Sequence, residues 1–357
     1  MGYDHGSEAK DKIAHNLEIY FRRFKNETQL SRGQVLERAE SYLRVIRRTS
    51  PDYARAMEGV ALGSDRKLLE IVALNVRYEL MYSQFAKIGL KPLPKVGGCT
   101  AFAAAPEATV NRHVILAQNW DWIPQVESVF LKVRSGQGPN VLTFTEAGVV
   151  GGKIGLNSEG IGLLINGLIT DKDDWERLQK PFHVRCWEIL QSKTMREAMS
   201  KITRGKRSCS ANFIIGQQKR LGSGEIVDVE TSPESTRIIH PEHAVLSHAN
   251  HFLEPDKLGV KQVLDDERLS TLHRFERINQ LLDPIRHQSK KLSGRKAESM
   301  LRDHDGRPES VCRHANLAFP ADERYETVVS IVMDLYTRRM KVTTGSPCEM
   351  SHQTLRF

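Results

Sequence analysis

The sequence predicts an α+β protein whose sheets are largely antiparallel and whose helices pack outside them. Three observations carry this. Helical periodicity runs through the first 90 or so residues, short β-rich runs take over from Cys99 onward, and turn chemistry between those runs makes hairpins outnumber alternating strand–helix units. A chain of 357 residues is long enough for a large core, and neither an internal repeat nor a clear boundary between two domains is visible.

The elements follow in order. From Lys12 to Phe24, the residues Ile13, Leu17, Tyr20, Phe21 and Phe24 recur at three- and four-residue steps and make one apolar stripe. Ser31 is the expected N-cap of a second helix that buries Val35, Leu36, Ala39, Tyr42, Leu43 and Ile46. Ser50-Pro51 ends it, a third helix spans about 52–62, and Ser64 is expected to open a fourth carrying Leu68, Leu69, Val72, Leu74 and Leu80. Lys91-Pro92-Leu93-Pro94 breaks the pattern.

Strands are expected at 113–118, 128–134 and 141–146, the last two joined by Ser135-Gly136-Gln137-Gly138-Pro139. A second hairpin, 153–156 with 160–165, turns at Asn157-Ser158-Glu159-Gly160. Helices near 181–192 and 194–203 precede strands at 211–216, 225–231 and 236–239. A helix over about 265–283 leads into the polar stretch His287–Lys296, read as a mobile loop, and the chain closes with a hairpin of 327–335 and 340–344.

Composition narrows the function classes. No run approaches the roughly 18 apolar residues of a membrane span, and no secretory signal precedes the first helix. A net charge of +8 could attract nucleic acid or an anionic ligand, but the basic residues are scattered without aromatic interleaving, so a solvated surface and no nucleic-acid partner are expected. Five cysteines, Cys99, Cys186, Cys209, Cys312 and Cys348, lack metal-like pair spacing and read as mostly reduced thiols. The cytoplasm is the expected compartment, with no cofactor and no metal.

Four stretches carry candidate chemistry. In Val96-Gly97-Gly98-Cys99-Thr100, two glycines permit a strained backbone path directly before a thiol. Attack of that thiol on its own upstream carbonyl, through a thioester and then hydrolysis, would leave Cys99 at a new amino terminus. Its α-amine, with a reference pKa of about 7.7–8.0, would suit a base near neutral pH. Taken alone, Gly-Gly-Cys is more commonly a turn followed by a small buried thiol. Gln118-Asn119-Trp120-Asp121-Trp122 ends a strand with a carboxylate between two indoles. Ser247-His248-Ala249-Asn250-His251 sets an amide and two imidazoles at another strand end, and Ser310-Val311-Cys312-Arg313 groups a hydroxyl, a thiol and a guanidinium. Singly, each reads as an ordinary polar strand end or loop.

Together they resemble something particular. Gly2-Tyr3-Asp4-His5-Gly6-Ser7, Leu74-Asn75-Val76-Arg77-Tyr78-Glu79, Gly98-Cys99-Thr100, Gln118-Asn119-Trp120-Asp121, Thr145-Glu146-Ala147-Gly148, Gly155-Leu156-Asn157-Ser158, Ser232-Pro233, His248-Ala249-Asn250-His251, Ser310-Val311-Cys312-Arg313 and Arg338-Arg339 stand in the order of the motifs of the isopenicillin N acyltransferase family of N-terminal nucleophile hydrolases. The resemblance spans residue 2 to about 345. It implies a four-layer αββα sandwich of two antiparallel sheets between helical layers. It further implies self-cleavage at Gly98-Cys99, giving a helical subunit of residues 1–98 and a β-rich subunit of 99–357 that together form one structural domain and remain a heterodimer.

By the same resemblance Cys99 is the nucleophile and Asn250 an oxyanion-stabilising amide. Asp121 and Arg313 hold the substrate, and Ser310 is a hydroxyl near the acyl pocket. The implied partner is a small acyl amide or acyl-CoA, with hydrolysis and transfer both open. Two departures stand out: the short strand that precedes Gly-Tyr-x-His-Gly in relatives is missing, and Ala101 replaces a second hydroxyl residue, which weakens a β-lactam assignment more than the chemistry. The alternative from another class is a non-catalytic member of the fold that binds a ligand without turnover.

Overall fold

In the computed structural model, which describes residues 1–87, 98–262, 269–321 and 324–357, the chain opens with six helices: α1 (Gly2–Glu8), α2 (Lys10–Thr28), α3 (Arg32–Thr49), α4 (Pro51–Ser64), α5 (Leu68–Asn75) and α6 (Arg77–Lys87). The stripe of α2 is buried at Ile13, Leu17, Tyr20 and Phe24, and Ser31 caps α3 in a reciprocal capping box with Gln34. Ser64 does not open a helix as expected. It is the last residue of α4, which Asp65 ends by adopting the left-handed conformation at φ 56°. The expected fourth helix is divided between α5 and α6. The Lys91–Pro94 break and residues Val96-Gly97 lie outside the described residues.

Helix α1 crosses α4 at backbone contact. A Cβ on Gly2 would lie 2.2 Å from the Ala56 carbonyl oxygen, and one on Gly63 would lie 2.2 Å from that of Tyr3. The Gly-Tyr-x-His-Gly motif is therefore a packing motif here.

The strands build two antiparallel sheets. One has six strands in the order β10 (Val245–His248), β1 (Cys99–Ala104), β2 (Ile115–Trp122), β11 (Glu326–Asp334), β12 (Arg339–Thr344) and β13 (Gln353–Leu355). The other runs in chain order through β3 (Ser128–Val133), β4 (Val141–Glu146), β5 (Ile154–Asn157), β6 (Ile161–Gly167), β7 (Ala211–Arg220), β8 (Ser223–Thr231) and β9 (Thr236–Ile239). Helices α9 (Leu269–His287) and α10 (Gly294–Met300) cover the first sheet, and α7 (Phe182–Leu190) and α8 (Met195–Thr203) cover the second. The result is the αββα order.

Strand β1 shows how the layers arise. Phe102 and Ala104 join Ile278, Leu282 and Met300 beneath α9 and α10, whereas Ala101 and Ala103 join the core between the sheets with Leu163, Ile165 and Phe213. Because side chains alternate along a strand, Cys99 shares the inter-sheet face and Thr100 the α9 face. The fully buried Ala101 spares that layer a hydroxyl needing a partner.

The stretch His287–Lys296 is not a free loop. Leu292 is fully buried, its N–H donates to the Ala108 carbonyl at 2.8 Å, its own carbonyl accepts from Val110 N–H at 3.0 Å, and Ser293 caps α10. One leucine anchors a segment whose charges disguise it. Among the described residues, no helix is long and apolar enough to cross a membrane.

Candidate active site

Residue Cys99 opens β1, paired in register with Trp120 of β2. Asn250 follows the end of β10, the strand on the other side of β1, so two neighbouring strand ends bring Cys99 and Asn250 side by side. The Cys99 N–H donates to Asn250 Oδ1 at 2.6 Å, and Asn250 Nδ2 donates to the Gly167 carbonyl at 3.1 Å. The Asn250 N–H is itself held by Thr271 Oγ1 at 2.7 Å. With one amide proton on Gly167, the second proton of Nδ2 is left for a further acceptor.

The carbonyl on the other side of the Gly98–Cys99 bond is also fixed. Gly98 O accepts from the Asp121 N–H at 2.8 Å. A Cβ at Gly98 would lie 2.7 Å from Arg274 Nη2 and 3.0 Å from Asp121 Oδ2, so a side chain here would have to displace the Arg274 guanidinium. Cys99, Asp121 and Asn250 line one cavity, together with Trp120, Trp122, Lys153 and Phe182.

The indoles of Trp120 and Trp122 are stacked at 5.7 Å, but this wall is not simply apolar. Lys153 Nζ sits 3.4 Å above the Trp120 ring, and the Arg23 and Arg77 guanidinium groups lie 4.7 and 5.0 Å from that of Trp122. Lys153 and Arg77 belong to a buried cluster centred on Glu146, which accepts from Tyr20, Arg77 and, at 3.0 Å, Lys153, whereas Arg23 pairs with Glu27. Burial opposes the Glu146 charge, but Arg77 and Lys153 outweigh it and hold the carboxyl well below its usual range. Burial brings Lys153 down to about 8.

Asp121 is buried on all sides. Thr327 Oγ1 donates to its Oδ1 at 2.7 Å, while Oδ2 has no hydrogen-bond partner. Burial pushes the carboxyl up to about 6, against the pull of Arg274 and Arg313. Burial, reinforced by Asp121, also pushes the Cys99 thiol up to about 12, so in the uncut chain it is a thiol rather than a thiolate at neutral pH.

Of the residues singled out from sequence, Cys99, Asp121 and Asn250 converge. Arg313 stands one step back: its N–H donates to Thr327 Oγ1 at 2.9 Å, linking it to Asp121, while its guanidinium pairs with Glu309 and lies over Tyr325. Ser310 donates to the Cys312 carbonyl at 2.6 Å and so shapes this loop.

Sequence reading missed Arg274, a fully buried side chain on α9. Its Nη1 donates to the Cys99 carbonyl at 2.7 Å and to Thr100 Oγ1 at 2.9 Å, and its Nη2 to Asn250 Oδ1 at 3.3 Å. It also missed Asn166, whose amide donates to the Cys99 carbonyl at 3.3 Å. An arginine amid amphipathic helix positions carries no signal of its own.

The motifs far from the cavity hold its frame. Asn75 donates to the Gly148 carbonyl at 2.9 Å and accepts from Val150 N–H at 2.8 Å, and His5 accepts from Gly148 N–H at 3.2 Å. Gly148 itself has φ 95° and faces the Leu74 side chain closely, so any other residue there would be strained.

The family model "Acyl-coenzyme A:6-aminopenicillanic acid acyl-transferase" matches residues 108–349, more than half of the chain. The 40 kDa form of acyl-coenzyme A:6-aminopenicillanic-acid-acyltransferase from Emericella nidulans is 26% identical over 355 residues, covering 97% of this chain and 90% of that protein. Among solved structures, the N-acylethanolamine-hydrolyzing acid amidase ortholog of Caenorhabditis elegans is similar at TM-score 0.47 and 14% identity, over 66% of this chain and 93% of that one. Conjugated bile acid hydrolase from Clostridium perfringens is similar at TM-score 0.42 and 12% identity, over 72% and 97%. By the extent of the family match, the chain belongs to the acyl-coenzyme A:6-aminopenicillanic acid acyltransferase family.

Proposed function

We propose that this protein is a self-processing N-terminal cysteine amidohydrolase or acyltransferase, acting on a small N-acyl amine, acyl-amino acid or acyl-CoA through a Cys99 thioester. The observation that carries the reading is the 2.6 Å contact between the Cys99 N–H and Asn250 Oδ1, two residues that line a cavity with Asp121. Hydrolysis of the Gly98–Cys99 bond would turn that N–H into an α-amine already held by an acceptor. The amine would then take the proton of its own thiol as the sulfur attacks the substrate carbonyl. The free proton of Asn250 Nδ2 suits the developing oxyanion, and a fixed donor stabilises it without reorganising. The acyl group would leave Cys99 for water or for an amine.

The same cut would give subunits of residues 1–98 and 99–357. Asp121 and Arg313 are assigned to the substrate, Arg313 through a guanidinium that would exchange Glu309 for a substrate carboxylate. Denaturing electrophoresis with intact mass is the direct test: fragments ending at Gly98 and beginning at Cys99 are expected, and Cys99→Ala is expected to give one unbroken, inactive chain. Normal fragments from that variant would remove Cys99 from the scheme. A wild-type chain that stays uncut and resists a thiol-directed acylating probe would favour a non-catalytic ligand-binding member instead. A panel of acyl-amino acids, acyl-amines and acyl-CoA thioesters, scored for acid release against amine acylation, separates hydrolysis from transfer.

A further inference from the structure

Away from the cavity, four metal-binding side chains meet at one point. His304, Cys312 and His314 lie on the loop that carries Arg313, and Cys348 comes from the turn after β12. His304 Nε2 is 3.1 Å from His314 Nε2, Cys312 Sγ is 3.6 Å from Cys348 Sγ, and His314 Nε2 is 3.7 and 3.4 Å from the two sulfurs. All four ligand atoms lie within 4.8 Å of one another. A tetrahedral zinc ion, bound at about 2.3 Å from sulfur and about 2.0–2.1 Å from nitrogen, separates its ligand atoms by roughly 3.3–3.8 Å. Four of the six edges, at 3.1, 3.4, 3.6 and 3.7 Å, fall on or close to that span.

We propose that His304, Cys312, His314 and Cys348 form a closed, structural zinc site. Two thiolates and two imidazoles select zinc over the hard cations. Both thiols would release their protons on binding, and the resulting two charges would neutralise the ion. Four protein ligands leave no open position, so the site would hold structure rather than carry out chemistry. Glu349 Oε1, 3.9 Å from His314 Nδ1, stands where an outer carboxylate orients a ligating ring. The ion would clamp the loop presenting Arg313 to the turn bearing Cys348. The five scattered cysteines gave no such signal because Cys348 arrives from 34 residues beyond His314.

The test is metal analysis of the full chain, free of histidine tags and purified under reducing conditions with zinc available. Wild type is expected to retain about one zinc per chain, and Cys348→Ser and His304→Asn, both at exposed positions, to lose most of it while staying folded by circular dichroism. Cobalt(II) added to chelator-treated wild type is expected to give a thiolate-to-cobalt absorption band that Cys348→Ser lacks. A chain that holds no zinc and gives no band, a Cys312–Cys348 disulfide in its place, or a zinc content unchanged in both variants would overturn the proposal.

Discussion

Replacing Asp121 by Asn should make the uncut protein gain stability relative to wild type as pH rises, in a defined window. Raising this buried carboxyl from 3.8 to about 6 makes its ionised form about 3 kcal/mol less favourable in the folded chain than in the unfolded one. Between those two values the folded state keeps a proton that the unfolded state has released. Stability due to Asp121 is therefore complete below about 3.8, falls as pH rises through the window, and stays at its lowest above about 6. Asn does not titrate.

The comparison belongs in a Cys99→Ala background, which keeps one unbroken species in the tube. Urea unfolding of the two chains across this pH range should give a difference that grows by about 3 kcal/mol in favour of Asp121→Asn as pH rises, and then levels off. The change between acid and neutral pH is the measure, because the new amide Nδ2 adds a pH-independent cost where Oδ2 lacked a partner. A difference that stays flat, or that grows toward low pH, would refute the assignment of a high carboxyl pKa to this position. A carboxylate retained at such cost is expected for a functional group.

Other outcomes follow from the same geometry. In the cut enzyme, Asn250→Ala should lower turnover by a factor on the order of 10² or more, read from steady-state acid release, and unchanged acyl-enzyme formation would exclude it from the oxyanion site. Self-cleavage of freshly synthesised chain should quicken by about tenfold per pH unit through neutrality, since the thiolate fraction of a thiol near 12 rises at that rate; a pH-independent cut would disprove thiolate control. Arg274→Lys should slow the cut, because a single nitrogen on a shorter stem cannot take the places of both Nη1, which holds the Cys99 carbonyl and Thr100, and Nη2, which holds Asn250; wild-type kinetics on a gel time course would show the fork to be dispensable. Glu146→Gln should cost about 3–5 kcal/mol by leaving Arg77 and Lys153 buried without their anion, seen as a lowered urea midpoint at neutral pH.

What could be read in the sequence was set by how local its cause is. Helix α3 was legible because Ser31 and an apolar stripe act within a few residues, although Leu36 of that stripe is only half-buried. The hairpin of β3 and β4 was legible because its turn residues announce it. Strand β1 was harder: Cys-Thr-Ala-Phe-Ala-Ala has one β-branched residue, Thr100, among three alanines, and its conformation is imposed by β2 and β10 on either side. Cys99, Asp121 and Asn250 were legible as neighbours only through ordered motifs, since nothing local says that three strand ends meet. Arg274 was invisible because it is recruited by tertiary contacts alone. The supposed loop at His287–Lys296 failed for the same reason in reverse, its anchor being a single leucine.

The helical block and the sheets are stitched by side chains that do not depend on the peptide between them. Tyr42 donates to Trp175 O at 2.9 Å, Tyr53 to Val150 O at 2.9 Å, Tyr78 to Ser210 O at 2.6 Å, and Asn16 to Glu127 O at 2.8 Å. A nick before Cys99 would thus alter the covalent formula and leave hydrodynamic size untouched. Two bands on a denaturing gel would co-elute as one particle, and pulling the halves apart would demand the unfolding of both.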